Sequence, residues 1–411
     1  MTGSVRSEDS GGRSAARSRG WKEYTALILL WQVTASVCFY AVYAVTPFVR
    51  ADFGVSATLV GVMLTALTLG YTLFLLPVGS LIDEYGEDRT LLVGLLGLGA
   101  GVVIITFSPT YLALLASVFV LGAFYATAIP GTNKAVFNAI PADRLNTSMG
   151  IKQVGVTAGS GISAVLVPWF GVTRFGWEAA FVLSGAAAAV VAVVFWKRYD
   201  AGDGGSDSDD RSGIRAHFAN TEYATLTAAG FFLGAGLFTT IGYTILYVNE
   251  AVGATVVFAG LTLAAAQVWG SAGRILFGWL ADRLSMDLTS STLYILVAQA
   301  GAAFVLFLLV TTVRSPPVTL VLFSLLGFFI LGFTGVYYSC IGSLVPAEEM
   351  GSATAGGQIA LNSGALLAPP AFGYIVDVRS YDAAWGMLAL GTFVAFLLLV
   401  RVAHRHRGGN H

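Results

Sequence analysis

The chain has 411 residues, of which 56% are hydrophobic and 11% charged, and its mean hydropathy is +0.76. A soluble domain of this size needs a much larger charged shell, so the composition excludes a water-soluble globular protein. The net charge of −1 averages loops on two sides of a membrane and identifies no partner, and Cys38 and Cys340 both fall inside apolar runs, which excludes a disulfide scaffold.

Residues 1–23 are polar and read as a disordered cytoplasmic amino terminus. A bilayer core roughly 30 Å thick needs about 20 apolar residues at about 1.5 Å per residue. Runs of that length occur at 24–48, 58–82, 90–107, 111–140, 147–170 and 179–196, and form an amino-terminal bundle over 24–196. The first run is too long for a signal-peptide core and is followed by a second, so it is a retained span. Residues 197–222 are the one long polar break; their acidic, Gly- and Ser-rich core reads as a flexible cytoplasmic linker. Six more runs follow at 223–248, 257–280, 292–310, 318–344, 352–375 and 383–402. They form a carboxy-terminal bundle over 223–402, before a cytoplasmic tail at 403–411. Lipid cannot satisfy exposed backbone groups, so these segments must be helices, and the short alternating strands of a barrel are missing.

Fifteen of the 22 Lys and Arg fall on the amino-terminal side of that arrangement, four on the other side and three inside spans. The bias places both termini and the linker in the cytoplasm.

The halves repeat each other. Gly79-Ser-Leu-Ile-Asp83 closes the second span and Gly278-Trp-Leu-Ala-Asp282 the eighth. Leu121-Gly122 matches Leu326-Gly327, Pro141-Ala142 matches Pro346-Ala347, and Gln153 and Gly159 match Gln358 and Gly364. Trp177-Glu-Ala-Ala-Phe181 matches Tyr381-Asp-Ala-Ala-Trp385 in the same order. A duplicated bundle places a solute path at the shared interface near the bilayer midplane.

Twelve spans, a central linker and Gly-x-x-x-Asp after spans two and eight resemble the major facilitator superfamily over residues 24–402. The first copy has Gly79, Asp83, Gly86 and Arg89, with Glu84, Glu87 and Asp88 where that family favours cations; the second has Gly278, Asp282 and Arg283, with Ser285 in place of the later glycine. The resemblance implies an all-α integral membrane protein whose twelve transmembrane helices form two six-helix bundles related by pseudo-two-fold symmetry. It also implies a cytoplasmic gate in which Asp83 meets the start of span eleven near Ser352, and Asp282 the start of span five near Ser148. An aspartate is favoured at a helix amino end by the unpaired N–H groups there. Two antiporter features of the family are missing: Gly155-x-x-x-Gly159 is followed by Ser160, and Val118 stands where an arginine is common.

Polar residues at helical spacing mark a wet face or helix–helix glue. Span one carries Gln32, Ser36, Tyr40 and Tyr43; span seven Thr240, Tyr243, Thr244 and Tyr247; span eight Gln267, Ser271 and Arg274; span ten Thr334, Tyr337 and Tyr338; span eleven Thr354, Gln358 and Asn362. Those of spans one, seven and ten fall where the resembling family lines its cavity. The expected lining is Gln32, Ser36, Tyr40, Tyr43, Lys134, Lys152, Gln153, Thr240, Tyr243, Gln267, Ser271, Arg274, Tyr337, Gln358 and Asn362.

The sharpest signal is charge. Lys134, Lys152 and Arg274 lie inside spans, while the acids lie in loops or at span ends. A bare cation deep in a bilayer costs about 2.5–3.5 kcal/mol or more. At about 1.5 Å per residue, Arg274 lies about 12 Å before Asp282, and the lysines roughly 9–10 Å in. Either these cations pair with gate acids, or they build a cavity for an anion.

The sequence therefore reads as a secondary or facilitative transporter working by alternating access on a small organic or inorganic anion. Efflux of neutral or amphipathic compounds is the alternative, and a transport-like sensor is the alternative of another class. An enzyme is not expected, because His217, His404, His406 and His411 lie in linker and tail and no nucleophile–base cluster stands out. No cofactor, metal or nucleic acid is expected. The partners are the solute, a possible co-transported ion and the bilayer around a monomer. Only four of the 22 basic residues are lysines, a composition typical of a high-GC prokaryote.

Overall fold

A computed structural model describes residues 8–141, 144–199, 217–346 and 349–409. Twelve helices among them are long and apolar enough to cross a membrane. Spans one to six are Gly20–Ala44, Ala57–Tyr85, Glu87–Ile105, Tyr111–Ala139, Thr147–Gly171 and Gly176–Arg198. Spans seven to twelve are Thr221–Glu250, Val256–Arg283, Leu288–Val310, Pro316–Ser343, Met350–Val378 and Tyr381–Arg407. The core of the polar linker, 200–216, lies outside the described residues, as do residues 1–7.

Span starts are written in the sequence. Ser56, Thr110, Asn220, Thr255 and Asp287 each accept a hydrogen bond from a backbone N–H two or three residues into the helix they precede. Asp287 sits outside the membrane-spanning stretch. The N–H and hydroxyl of Ser290 donate to it, and that hydrogen bonding holds its carboxyl below the usual range.

The first helix differs from expectation: it runs from Glu8 to Ala44, so the stretch from Glu8 to Glu23 read as disordered continues the membrane helix. No proline interrupts it before Pro47, and extending a formed helix needs no new nucleus. After Val45 a short helix, Thr46–Phe53, turns across the far face with Pro47 in its first turn.

Spans four and ten are broken at matching places. Span four divides into Tyr111–Tyr125 and Ala128–Ala139. Pro130 cannot donate to the Ala126 carbonyl, and its ring crowds that turn. Span ten holds a π turn at Gly327–Leu331 between Pro316–Leu326 and Thr334–Ser343. It contains no proline there; the wider turn and Gly332 supply the break instead.

Within each half the helices pack closely. Across the halves, span two lies along span eleven and span five along span eight. Spans one and seven are the most enclosed, with 67% and 83% of their apolar windows buried, so these two carry the centre of the molecule. Large apolar side chains such as Leu76, Phe107, Leu112, Val268 and Ile275 point outward, as a lipid-facing surface requires.

The halves meet at the face opposite the termini and part at the face that carries them. Near the far face a Cβ on Gly61 or Gly373 would fall under 3.0 Å from the Pro369 or Ala57 backbone, so these glycines let spans two and eleven touch. At the other end of the same spans, among the described residues, no neighbouring atom lies within 4 Å of where a Cβ on Gly79 or Gly351, or on Gly278 of span eight, would stand. The structure is sealed on one side and open on the other.

Candidate functional site

The seal is built from polar contacts between halves. Asp377, at the far end of span eleven, receives the Ala57 N–H at 2.9 Å, the Thr58 N–H at 2.8 Å and the Thr58 hydroxyl at 2.6 Å. It thus caps span two from the other half, where the helix presents unpaired N–H groups. The Tyr243 hydroxyl lies 2.7 Å from the Ala57 carbonyl and 3.0 Å from that of Pro369. Arg50 meets Glu250 at 2.6 Å, and the Tyr381 hydroxyl donates to the same carboxylate at 2.7 Å.

Below the seal, between the halves, lies a cavity of about 130 Å³. Its walls come from span one (Phe39, Tyr40), span two (Thr68, Tyr71), span four (Tyr125, Ile129), span five (Gln153, Val156, Thr157), span seven (Leu237, Phe238, Ile241), span eight (Gln267, Arg274), span ten (Thr334, Tyr338) and span eleven (Gln358, Leu361). Arg274 is the one charged group in that lining. Its Nε donates to the Leu331 carbonyl at 3.0 Å, at the end of the π turn. A guanidinium has five N–H donors, so this one bond leaves the outer pair of nitrogens without a hydrogen-bond partner among the described residues. Among the described residues no carboxylate pairs with Arg274.

Five of the expected lining residues stand in this wall: Tyr40, Gln153, Gln267, Arg274 and Gln358. Asn362 stands behind it, accepting from the Gln358 amide at 2.8 Å and donating to Thr72 of the other half at 3.2 Å. Ser271 bridges the halves through Thr157 at 2.7 Å. The remaining positions turn elsewhere. Gln32 bonds Ser36 and Thr132, and Ser36 bonds Tyr125, so this stripe ties span one to span four inside one half. Tyr43 faces Thr68 at 3.4 Å, and Thr240 is fully buried. Tyr243 belongs to the seal. Tyr337 donates to the Gly357 carbonyl at 3.3 Å within the second half, and its neighbour Tyr338, about 100° further round the helix, takes the place in the wall.

The two interior lysines also turn away from the cavity. Lys134 donates to Asp83 at 2.8 Å and to the Ile82 carbonyl at 3.3 Å, on the open side. Lys152 is 1% exposed and donates to the Asn133 side chain. Arg274 alone carries the cavity's positive field.

On the open face neither expected gate contact is made among the described residues. Asp83 lies on Lys134, Ser148 on Thr25 at 2.8 Å, and Ser352 on His217 at 2.7 Å. Asp282 is exposed, Arg89 points outward, and Arg283 stacks over Trp279 at 4.6 Å. The parted halves hold each acid away from the helix end it would cap. Glu87, standing where the resembling family favours a cation, is 3% exposed and accepts from Asn138 at 2.8 Å and Tyr199 at 2.9 Å. The phenol of Tyr199, just beyond span six, is held well above its usual pKa by burial and by this carboxylate.

The family model of the Major Facilitator Superfamily matches residues 28–364. The chain belongs to the major facilitator superfamily. It is a multi-pass membrane transporter of a small-molecule substrate, not an enzyme. Among curated relatives, the uncharacterized transporter YybO of Bacillus subtilis is 28% identical over 160 residues, 39% of this chain and 37% of that one. The D-galactonate transporter of Escherichia coli O6:H1 is 21% identical over 94% of this chain and 97% of its own. The hexuronate transporter of Bacillus subtilis is 24% identical over 91% and 93%. Among solved structures, a bacterial homolog of the human lysosomal transporter Spinster, in an inward-facing and occupied conformation, superposes with a TM-score of 0.72 over 94% of this chain and 96% of that one, at 16% identity. A point mutant of the nucleoside transporter NupG superposes at 0.76 over 92% and 99%, at 14% identity. These likenesses show the facilitator fold.

Proposed function

We propose that this facilitator-superfamily protein carries a small anion by alternating access, with Arg274 as the group that receives the negative charge. One observation carries the reading: a guanidinium with no carboxylate partner among the described residues lines a cavity between the two halves. Leaving such a charge uncompensated in a low-dielectric site is unfavourable, and an anionic solute compensates it. The relatives named for galactonate and hexuronate, both carboxylates, support the same sign of charge.

The parted face is the cytoplasmic one in this reading, because the termini and most of the cations lie on that side. The protein then sits in the cell membrane as a monomer, open inward at rest, with any co-transported ion entering by the same path. Cysteines placed at Ser206 and Asn410, with Cys38 and Cys340 removed, stay unlabelled by an impermeant thiol reagent in sealed right-side-out cells. Labelling of either from outside overturns this orientation.

The anion reading is tested by thermal shift of the purified protein against carboxylates, sulfonates, phosphates, neutral sugars and amines. A ligand that prefers the native state adds about 2.7 kcal/mol of apparent stability at a hundredfold excess over its Kd. Stabilisation by anions is the expected result; stabilisation by neutral sugars or amines alone contradicts it.

A further inference from the structure

A groove on the lipid-facing surface opens into the cavity. Spans five and eight cross between the halves and meet at two levels. Toward the far face a Cβ on Gly260 would stand 2.2 Å from the Ala164 carbonyl oxygen, so the two backbones touch there. Toward the terminal face the Ser271 hydroxyl donates to that of Thr157 at 2.7 Å. The rise from Thr157 to Ala164 is about 10 Å, and over it the facing residues are small: Ala158 and Gly161 on span five, Ala264 on span eight. Among the described residues, the one atom of a neighbouring helix within 4 Å of where a Cβ on Gly161 would stand is the Gln267 Cβ, at 3.9 Å. The helices leave a window between their two contacts.

We infer that this window is a side entrance from the bilayer for an amphipathic anion with one apolar chain, which brings its charged end to Arg274 and leaves its chain in the groove. The inference rests on the anion reading above and names the class of anion.

Two spaces meet at the window. The groove outside it encloses about 710 Å³ and follows span five from Val154 to Trp169, about 22 Å of axis. Its rim residues Val154, Ile162, Trp169 and Val268 are exposed at span depth, on the surface that faces lipid. Inside lies the cavity that Arg274 lines. Thr157 and Gln267 line both spaces and so stand at the partition. Gln267 is 2% exposed, and its Nε2 has no hydrogen-bond partner among the described residues. Small residues alone are packing. A buried amide donor left unmatched is costly, and here it marks a point where a ligand oxygen passes.

The occupant follows from what the window connects. A solute that stays in water reaches the cavity through the parted terminal face and gains nothing from an apolar passage. An anion with an apolar chain partitions into the bilayer, where the groove opens. From the window its head finds Gln267, Ser271 and Arg274 in turn, at steps of four and three on one face of span eight. Each offers a donor, and the last adds the charge. With the head on Arg274, the chain has about 10 Å to cover before it reaches the level of Gln267. A short carboxylate such as butanoate ends inside the cavity, whereas dodecanoate extends through the window into the groove.

Equilibrium binding of radiolabelled butanoate and dodecanoate to the purified full-length protein in lipid nanodiscs, with empty nanodiscs subtracted, tests the inference. Wild type is compared with Gly161→Leu, Ala158→Leu and Arg274→Gln. Gly161 and Ala158 line the groove and not the cavity, and leucine at either position fills the window. Dodecanoate is expected to bind wild type about thirtyfold or more tightly than butanoate. It loses roughly tenfold in G161L or A158L at unchanged Tm, with butanoate unaffected, and R274Q loses both anions. Dodecanoate binding that is no tighter than that of butanoate, that both window variants leave unchanged, or that falls in both together with butanoate binding overturns the inference and leaves the anion reading standing. Binding of neither anion to wild type, or binding of both that R274Q leaves unchanged, overturns both.

Discussion

Replacing Arg274 by glutamine abolishes most anion transport while leaving the fold intact. The substitution keeps a polar side chain against the Leu331 carbonyl but removes the one charge in the cavity wall. Opposite charges 4 Å apart attract by about 4 kcal/mol at an effective dielectric near 20. A charge-assisted hydrogen bond retains about 2–3 kcal/mol of that after desolvation, which corresponds to a roughly 30- to 150-fold loss of affinity. Lysine at the same position keeps the charge and loses the forked geometry, so it recovers part of the loss. Initial uptake rates measured against ligand concentration separate the two variants. Equal anion uptake by wild type and R274Q, at equal amounts of folded protein in the membrane, means that the guanidinium does not hold the substrate.

The second large effect falls on the conformational equilibrium. Asp377→Ala removes three hydrogen bonds that tie the far end of span eleven to the start of span two. A lost helix cap costs about 0.5–2 kcal/mol, and here the cap also joins the two halves, so the sealed far face loses about 2 kcal/mol relative to its open alternative. That is a shift of roughly thirtyfold in the ratio of the two states. Asp377→Asn keeps an acceptor for one N–H and shifts the ratio less. Spin labels at Ala51 and Arg379, both exposed on that face, report the change as a longer inter-label distance population. An unaltered distance distribution in D377A contradicts a sealing role for Asp377. The same argument applies, with smaller effect, to the partly exposed Arg50–Glu250 ion pair.

Hydropathy made the twelve helices legible because apolar length is what a bilayer demands, and the repeated motifs made the two halves legible because they keep order and spacing. The lining was legible only in part. A polar stripe identifies one face of a helix but not the neighbour that face meets. In span one, Gln32 and Ser36 turn to Thr132 and Tyr125 of the same half, and only Tyr40 reaches the cavity. In span ten, one step of the helix separates Tyr337, used internally, from Tyr338, used in the wall.

Tyr71 and Tyr125 escaped notice because each stands alone in an apolar run. Their signal was the preceding glycines: Gly70 lies against the Phe119 backbone and Gly122 against that of Leu67, so spans two and four cross closely and bring both rings to one level. Asp377 escaped because a lone acid at a span end looks like any loop acid, and its partner, the Ser56-Ala-Thr58 turn, lies more than three hundred residues away. The gate acids Asp83 and Asp282 were readable as a motif, yet sequence carries no information on which of two conformations a chain adopts. With the terminal face parted, Asp83 takes Lys134 of its own half instead.

The measurement that bears most directly on this account is uptake into proteoliposomes containing the purified protein, comparing an anion with its uncharged counterpart of the same shape, benzoate with benzamide and galactonate with galactitol. The account predicts saturable, protein-dependent uptake of at least one anion and none of its neutral partner, with the anion uptake lost in R274Q. Saturable uptake of a neutral partner that matches or exceeds that of its anion, and persists in R274Q, would contradict it.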